Sequence, residues 1–194
     1  MSQQHESVDL VGDETVKYFT TAVLLAALTA ALSQVSIPIP GTLPPFSLQP
    51  FGMFFAGPLL GPLWGGLALL LYLLVGIAGV PVFSNGNAGL GYVVAGQGTG
   101  GFLVGFLVGA VVAGAIAHRG TEPRDLGEIS VPVQIAALFA AVVVVYAIGV
   151  PWLSMVTGLP LVRAATVMAP YVPLDLVKLA VAVAIVEGGY LASR

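Results

Sequence analysis

From Tyr18 to His118 the chain carries no aspartate, glutamate, lysine or arginine. A segment that long cannot coat a water-soluble globule, in which about 25% of residues are charged. The rest of the chain tells the same story. Of 194 residues 58% are hydrophobic and 8% charged, and the mean hydropathy is +1.01. These values exclude a soluble globular domain and indicate an all-α polytopic membrane protein. A net charge of −3 excludes a basic nucleic-acid-binding surface. With no cysteine there are no disulfides, thiolate metal sites or thiol nucleophiles. His5 and His118 are far apart in sequence and leave little material for a metal centre.

Residues 1–16 are polar and acidic, a loose cytoplasmic tail or a short surface helix, without the basic start of a cleaved signal peptide, so the first apolar segment is expected to stay in the mature chain. A spanning helix needs about 20 apolar residues. Six candidates follow within 17–194: about Lys17–Val35, Leu48–Leu60, Leu63–Val80, Gly98–Ala117, Val131–Val150 and Ala169–Leu191. The second is short, is expected to be broken by Gly57-Pro58, and runs into Gly61-Pro62. Pro38, Pro40, Pro44, Pro45 and Pro50 make the first connector rigid and non-helical. The connector PVFSNGNAGLGYVVAGQ is uncharged and dense in turn-forming residues, whereas HRGTEPRDLGE is strongly charged.

Six spans put both termini on one side. With the N-terminus inside, Lys17, Arg119, Arg124 and Arg194 are cytoplasmic and Arg163 is outside. That distribution favours cytoplasmic termini in a plasma-membrane protein. It also puts the proline-rich connector, the asparagine-glycine connector and the start of the sixth helix on the outer face.

Small residues recur every fourth position at Ala22/Ala26/Ala30, Gly57/Gly61/Gly65 and Gly101/Gly105/Gly109/Ala113. Such ridges let helices in lipid approach closely. The fourth-helix ridge is expected to pack within the chain. The alanine ridge serves either the chain's own bundle or a separate membrane partner.

Asp175 and Lys178 lie inside the sixth apolar span, three residues apart and therefore on one helix face. Intramembrane charges are expensive and are directed at a partner or a wet cavity. Either they neutralise each other as a structural ion pair, or they engage a polar ligand. Asp accepts from N–H donors; Lys donates to a carbonyl or carboxylate. Asn85 and Asn87 are either turn residues tolerant of positive φ or amides that recognise a ligand. Gln49 either caps the second helix or faces the same cavity. Phe46, Phe51, Phe54, Phe83 and Tyr92 are nearby aromatics, suited to packing or to walling a pocket. His118-Arg119 ends the fourth helix, where cations suit the dipole.

Gly96, Gly98 and Gly101 satisfy G-x-G-x-x-G, and Glu122 falls about 20 residues later. The βαβ context is missing, so the glycines read as a loop and the start of a packing ridge. There is no Walker A sequence, so the chain is not expected to hydrolyse ATP, and no Ser-His-Asp or H-E-x-x-H set is present. Neither a catalytic centre nor a cofactor is expected.

The ordered set LLAALTAALSQVSIPIP, PFSLQPFGMFFAGPLLGPLWGGLALLLYLLVGIAGVPVF, GYVVAGQGTGGFLVGF and PLDLVKL resembles the BioY family, the biotin-binding S components of energy-coupling factor (ECF) transporters. The resemblance runs from about Val16 through nearly the whole chain. It implies a six-helix substrate-capture subunit with its biotin site near the outer face. It also implies a transmembrane coupling subunit and two cytoplasmic ATPases as partners. Asp175 and Lys178 match the polar pair of the family's last helix, Asn85 or Asn87 the connector after the third helix, and Gln49 the polar position after the proline-rich connector. Tyr92 joins them as a candidate ligand wall. Ala22, Ala26 and Ala30 resemble the A-x-x-x-A surface on which S components dock. Two alternatives stand beside this reading: an S component for another vitamin, and an intramembrane enzyme using Asp175 as a base.

Overall fold

A computed structural model describes residues 12–37, 45–95 and 98–192. Residues 1–11 of the expected tail, Pro38, Pro40, Pro44, Gly96 and Arg194 lie outside the described residues. Helix α1 spans Asp13–Ser33, opening with Asp13 and Glu14 where acidic groups suit the helix dipole. It therefore starts within the segment expected to be a loose tail or a short surface helix. Ala22, Leu25, Thr29 and Ser33 recur at helical spacing and are buried, while Phe19, Leu24 and Leu28 on the other side are exposed. Thr29 satisfies its hydroxyl internally by donating to the Leu25 carbonyl at 2.7 Å.

A short antiparallel ribbon, β1 (Ser36–Ile37) with β2 (Phe46–Ser47), closes the proline-rich connector, pairing Ser36 with Ser47 and Ile37 with Phe46. Helix α2 then runs Pro50–Ile77 with a break at Gly61, where φ is 75° and ψ is −179°. Only glycine adopts that conformation cheaply. The two limbs fold back on each other. A Cβ placed on Gly65 would stand 2.6 Å from the Ala56 carbonyl oxygen, although the two residues would lie about 13 Å apart along a straight helix. The second and third expected helices are thus the limbs of one hairpin whose turn falls at Gly61, between their expected ends at Leu60 and Leu63, while the expected break at Gly57-Pro58 is continuous helix.

Pro62 has no N–H to give the Pro58 carbonyl. His118, at the end of α4 (Gly100–His118), supplies the missing partner with its Nε2 3.0 Å from that oxygen. Its Nδ1 accepts from the Arg124 backbone N–H at 2.9 Å, so that nitrogen bears no proton and Nε2 is the donor. The buried ring is therefore neutral, so of the expected His118-Arg119 pair only Arg119, at the C-cap, supplies a cation to the helix end. The fourth-helix ridge packs within the chain. Cβ atoms on Gly101, Gly105 and Gly109 would meet Trp152, Val145 and Met53.

The remaining elements among the described residues are 3-10 turns at Ser84–Gly86 and Leu126–Glu128, short α3 (Leu90–Val94), α5 (Val131–Thr157), α6 (Leu161–Met168) and α7 (Tyr171–Ala192). Helix α5 continues through Pro151, beyond the expected end at Val150. Among the described residues four helices are long and apolar enough to cross a membrane, and α6 with α7, bent by 47°, make a fifth candidate span, against the six expected. Ser33 and Gln34 at the end of α1 bond to the carbonyls of Val82 and Pro81, which places the α1 end and the segment after α2 together. At the opposite end Gly61 lies by His118, and Gln134 near the start of α5 donates to Glu187 near the end of α7 at 2.6 Å. The start of α1 and the end of α7 therefore share one end of the bundle.

Candidate functional site

A partly open cavity of about 70 Å³ lies at the end of the bundle where α2, α4 and α7 begin. Phe102, Leu103, Phe106, Val145 and Met168 supply apolar wall; the polar groups converge from five elements.

Gln49 precedes α2 with its side chain turned inward, 4% exposed, and makes no capping bond. Its Nε2 donates to the Tyr72 hydroxyl at 2.9 Å and its Oε1 accepts from Ser84 Oγ at 3.1 Å. Tyr72 in turn donates to the Val82 carbonyl at 2.9 Å. The amide is thereby fixed in orientation with one N–H and one lone pair still unspent. Tyr92, on α3, stacks on the buried Phe83 ring at 5.4 Å between centroids and presents itself to the cavity.

The charged pair sits across from Gln49. Lys178 Nζ lies 2.9 Å from Asp175 Oδ1, with the two side chains 7% and 15% exposed. The ammonium also lies 4.1 Å from the centre of the Phe46 ring, a cation–π contact. Tyr146 of α5 donates to the other carboxylate oxygen, Asp175 Oδ2, at 2.7 Å. Both readings of the pair thus describe its geometry: the residues bond each other, and both line the cavity.

Gln49, Tyr92, Asp175 and Lys178 come together; Asn85 and Asn87 do not. Asn85 is exposed at φ 60° in the 3-10 turn, and exposed Asn87 donates its side-chain amide to the Ser84 carbonyl at 2.7 Å. Neither is among the residues that line the cavity, and both take the geometry of a turn tolerating positive φ. The turn instead delivers Ser84. The sequence reading also passed over Thr99, Phe102 and Tyr146, all in the lining. Tyr146 had a signal, a lone hydroxyl within the apolar run VVVVYAIG. Among the described residues no group of three or more His, Cys, Asp or Glu side chains is placed to hold a metal.

The alanine ridge divides. Ala22 is fully buried against its own bundle, and Ala26 and Ala30 are half-buried beside it. The exposed face of α1 carries Ala27 and Ala31 instead. An α-helix turns by about 100° per residue, so one step in sequence moves a four-residue ridge from the seam to the lipid side.

Comparison with known proteins decides the family, because the profile described as the BioY family matches residues 2–193. The chain belongs to the BioY family. A protein of Rhizobium etli named biotin transporter BioY is 35% identical over 173 residues, covering 84% of this chain and 89% of that protein. Its Rhodobacter capsulatus namesake is 38% identical over 172 residues, covering 81% and 85%. The fold matches a crystal structure described as the S-component for biotin from an ECF-type ABC transporter. The TM-score is 0.83 and the identity 24%, with 95% of each chain covered. Family membership fits a multi-pass membrane protein that carries a ligand pocket and is not an enzyme.

Proposed function

We propose that this chain captures biotin for uptake, as the S subunit of an ECF-type importer, and that the cavity holds the vitamin. The observation that carries the reading is the Asp175–Lys178 pair lining an otherwise largely apolar cavity in a BioY-family chain. Biotin has a ureido ring with two N–H donors and one carbonyl, an apolar bicycle and a carboxylate tail. Asp175 retains lone pairs for N–H donors, Lys178 serves a carbonyl or carboxylate, and Gln49 offers its unspent N–H and lone pair. Tyr92 and Phe102 supply flat apolar wall, while Asn85 and Asn87 shape the turn that carries Ser84.

The transmembrane coupling subunit and two cytoplasmic ATPases provide the energy that a chain without a Walker A sequence does not. Docking uses the lipid-facing side of α1 at Ala27 and Ala31, where bulk is absent and exposure is high. The cavity opens outward and both termini lie in the cytoplasm. Lys17, Arg119 and Arg124 lie toward the end of the bundle away from the cavity, and Arg163 toward the cavity end, which is the distribution the positive-inside rule requires.

Titration calorimetry on detergent-purified protein tests the reading, with biotin, thiamine and riboflavin as separate titrants. One biotin should bind per chain and be recovered unchanged. Binding of another vitamin in place of biotin, or consumption of biotin, would overturn it.

A further inference from the structure

Asp175 and Lys178 share one turn of α7, so their mutual bond does not itself tie the carboxylate to another helix, although the ammonium also meets the Phe46 ring. The bond that reaches across helices is the one from Tyr146 Oη to Asp175 Oδ2, at 2.7 Å. Tyr146 stands near the middle of α5, and its ring is held edge-on by Phe102 of α4, 6.1 Å between centroids at 83°. Phe102 reaches that position because Gly149, one turn further along α5, leaves room. A Cβ there would lie 2.4 Å from the Phe102 ring. A glycine on α5, a phenylalanine on α4 and the phenol itself thus aim one hydroxyl at one carboxylate oxygen.

We infer that Tyr146 is a positioning residue for the ligand site: it locks the Asp175 carboxylate, acts through it, and so sets the affinity for biotin. The inference rests on the reading that this cavity binds biotin. With Oδ2 held by Tyr146 and Oδ1 by Lys178, the carboxylate plane is fixed before the ligand arrives, and a ureido N–H meets a preset lone pair. Without the phenol hydroxyl, Asp175 is free to turn about its side-chain bonds toward Lys178, and binding has to pay for ordering it.

The test is a double-mutant cycle in nanodiscs, reading biotin Kd for wild type, Tyr146→Phe, Asp175→Asn and the double variant. A hydrogen bond to a charged group predicts that Tyr146→Phe weakens binding about ten- to a hundredfold. The same change made on top of Asp175→Asn should cost less than about twofold, because the group through which Tyr146 acts is already altered. A general packing role predicts the opposite, the same loss in both backgrounds, and would overturn the inference, as would wild-type affinity in Tyr146→Phe. Wild-type affinity in Asp175→Asn would refute the site itself, a distinguishable failure. Should Tyr146→Phe fold poorly, 3-fluorotyrosine placed at position 146 keeps ring and hydroxyl but strengthens the donor. It should change Kd in the wild-type background and leave it unchanged beside Asp175→Asn. Unchanged affinity in the wild-type background would again overturn the inference.

Discussion

Replacing Lys178 by methionine removes an ammonium whose side chain is 7% exposed and keeps most of its volume. Asp175 then loses the partner at 2.9 Å but keeps the Tyr146 hydroxyl at 2.7 Å. Breaking one side of a buried pair costs about 3–5 kcal/mol when the other charge is stranded. The surviving Tyr146 bond puts the expected loss of stability at the lower end, about 3 kcal/mol. For the ligand, loss of one buried charged contact costs about 2–5 kcal/mol, or roughly 30- to several-thousand-fold in affinity. The double variant Asp175→Asn/Lys178→Met separates structure from binding. Removing both charges leaves none stranded, so its thermal midpoint without ligand should return close to wild type while biotin binding stays lost. Thermal melts and calorimetry on the same nanodisc samples measure both quantities. A well-folded double variant with near-native biotin affinity would refute the reasoning and leave the pair as a structural lock.

The α2 hairpin predicts that Gly65→Val lowers stability by about 1–3 kcal/mol, since its Cβ would meet the Ala56 carbonyl oxygen at 2.6 Å; a thermal melt checks it. His118→Ala should cost about 1–3 kcal/mol by leaving the buried Pro58 carbonyl without its donor, while His118→Gln should recover part of the loss in the same assay. Ala27→Trp should block co-purification with the coupling subunit and leave biotin binding intact, whereas Ala22→Trp, at a fully buried position, should reduce the yield of folded protein. Ile37→Cys, on the exposed end of β1 in a chain without native cysteine, should react with an impermeant maleimide from the outside of intact cells; labelling only after permeabilisation would reverse the orientation.

The spans were legible because charge is so costly in lipid that its absence between Tyr18 and His118 leaves few alternatives. The turn at Gly61-Pro62 fell between the expected second and third helices, but that Gly57-Pro58 stays helical was less legible. Gly57-Pro58 and Gly61-Pro62 are the same dipeptide, and what separates them is tertiary. Gly57 packs against the Ala110 carbonyl of α4, which favours continuous helix there, while His118 satisfies the carbonyl freed by Pro62. In the cavity, Asp175, Lys178 and Gln49 stood out as polar groups in apolar surroundings. Asn85 and Asn87 raised the same signal for another reason, since asparagine also serves turns with positive φ. Ser84 and Tyr146 raised little signal, because a hydroxyl is cheap to carry in a membrane helix or loop and gains meaning only from the partner that folding brings to it. The alanine ridge left packing and docking open because four-residue spacing gives a face but not its direction, and Ala22 turns out to be buried in the chain's own bundle.

The central claim is that biotin occupies the cavity between Gln49 and the Asp175–Lys178 pair. A crystal structure of the protein with biotin bound tests it most directly. The account predicts the bicycle between Tyr92 and Phe102, with one polar end of the vitamin within hydrogen-bond distance of Asp175 or Lys178 and the other toward Gln49 and Ser84. Biotin seated elsewhere, for instance in the apolar groove between Leu25 and Leu28 of α1 and Ile185 of α7, with the cavity empty, would contradict it.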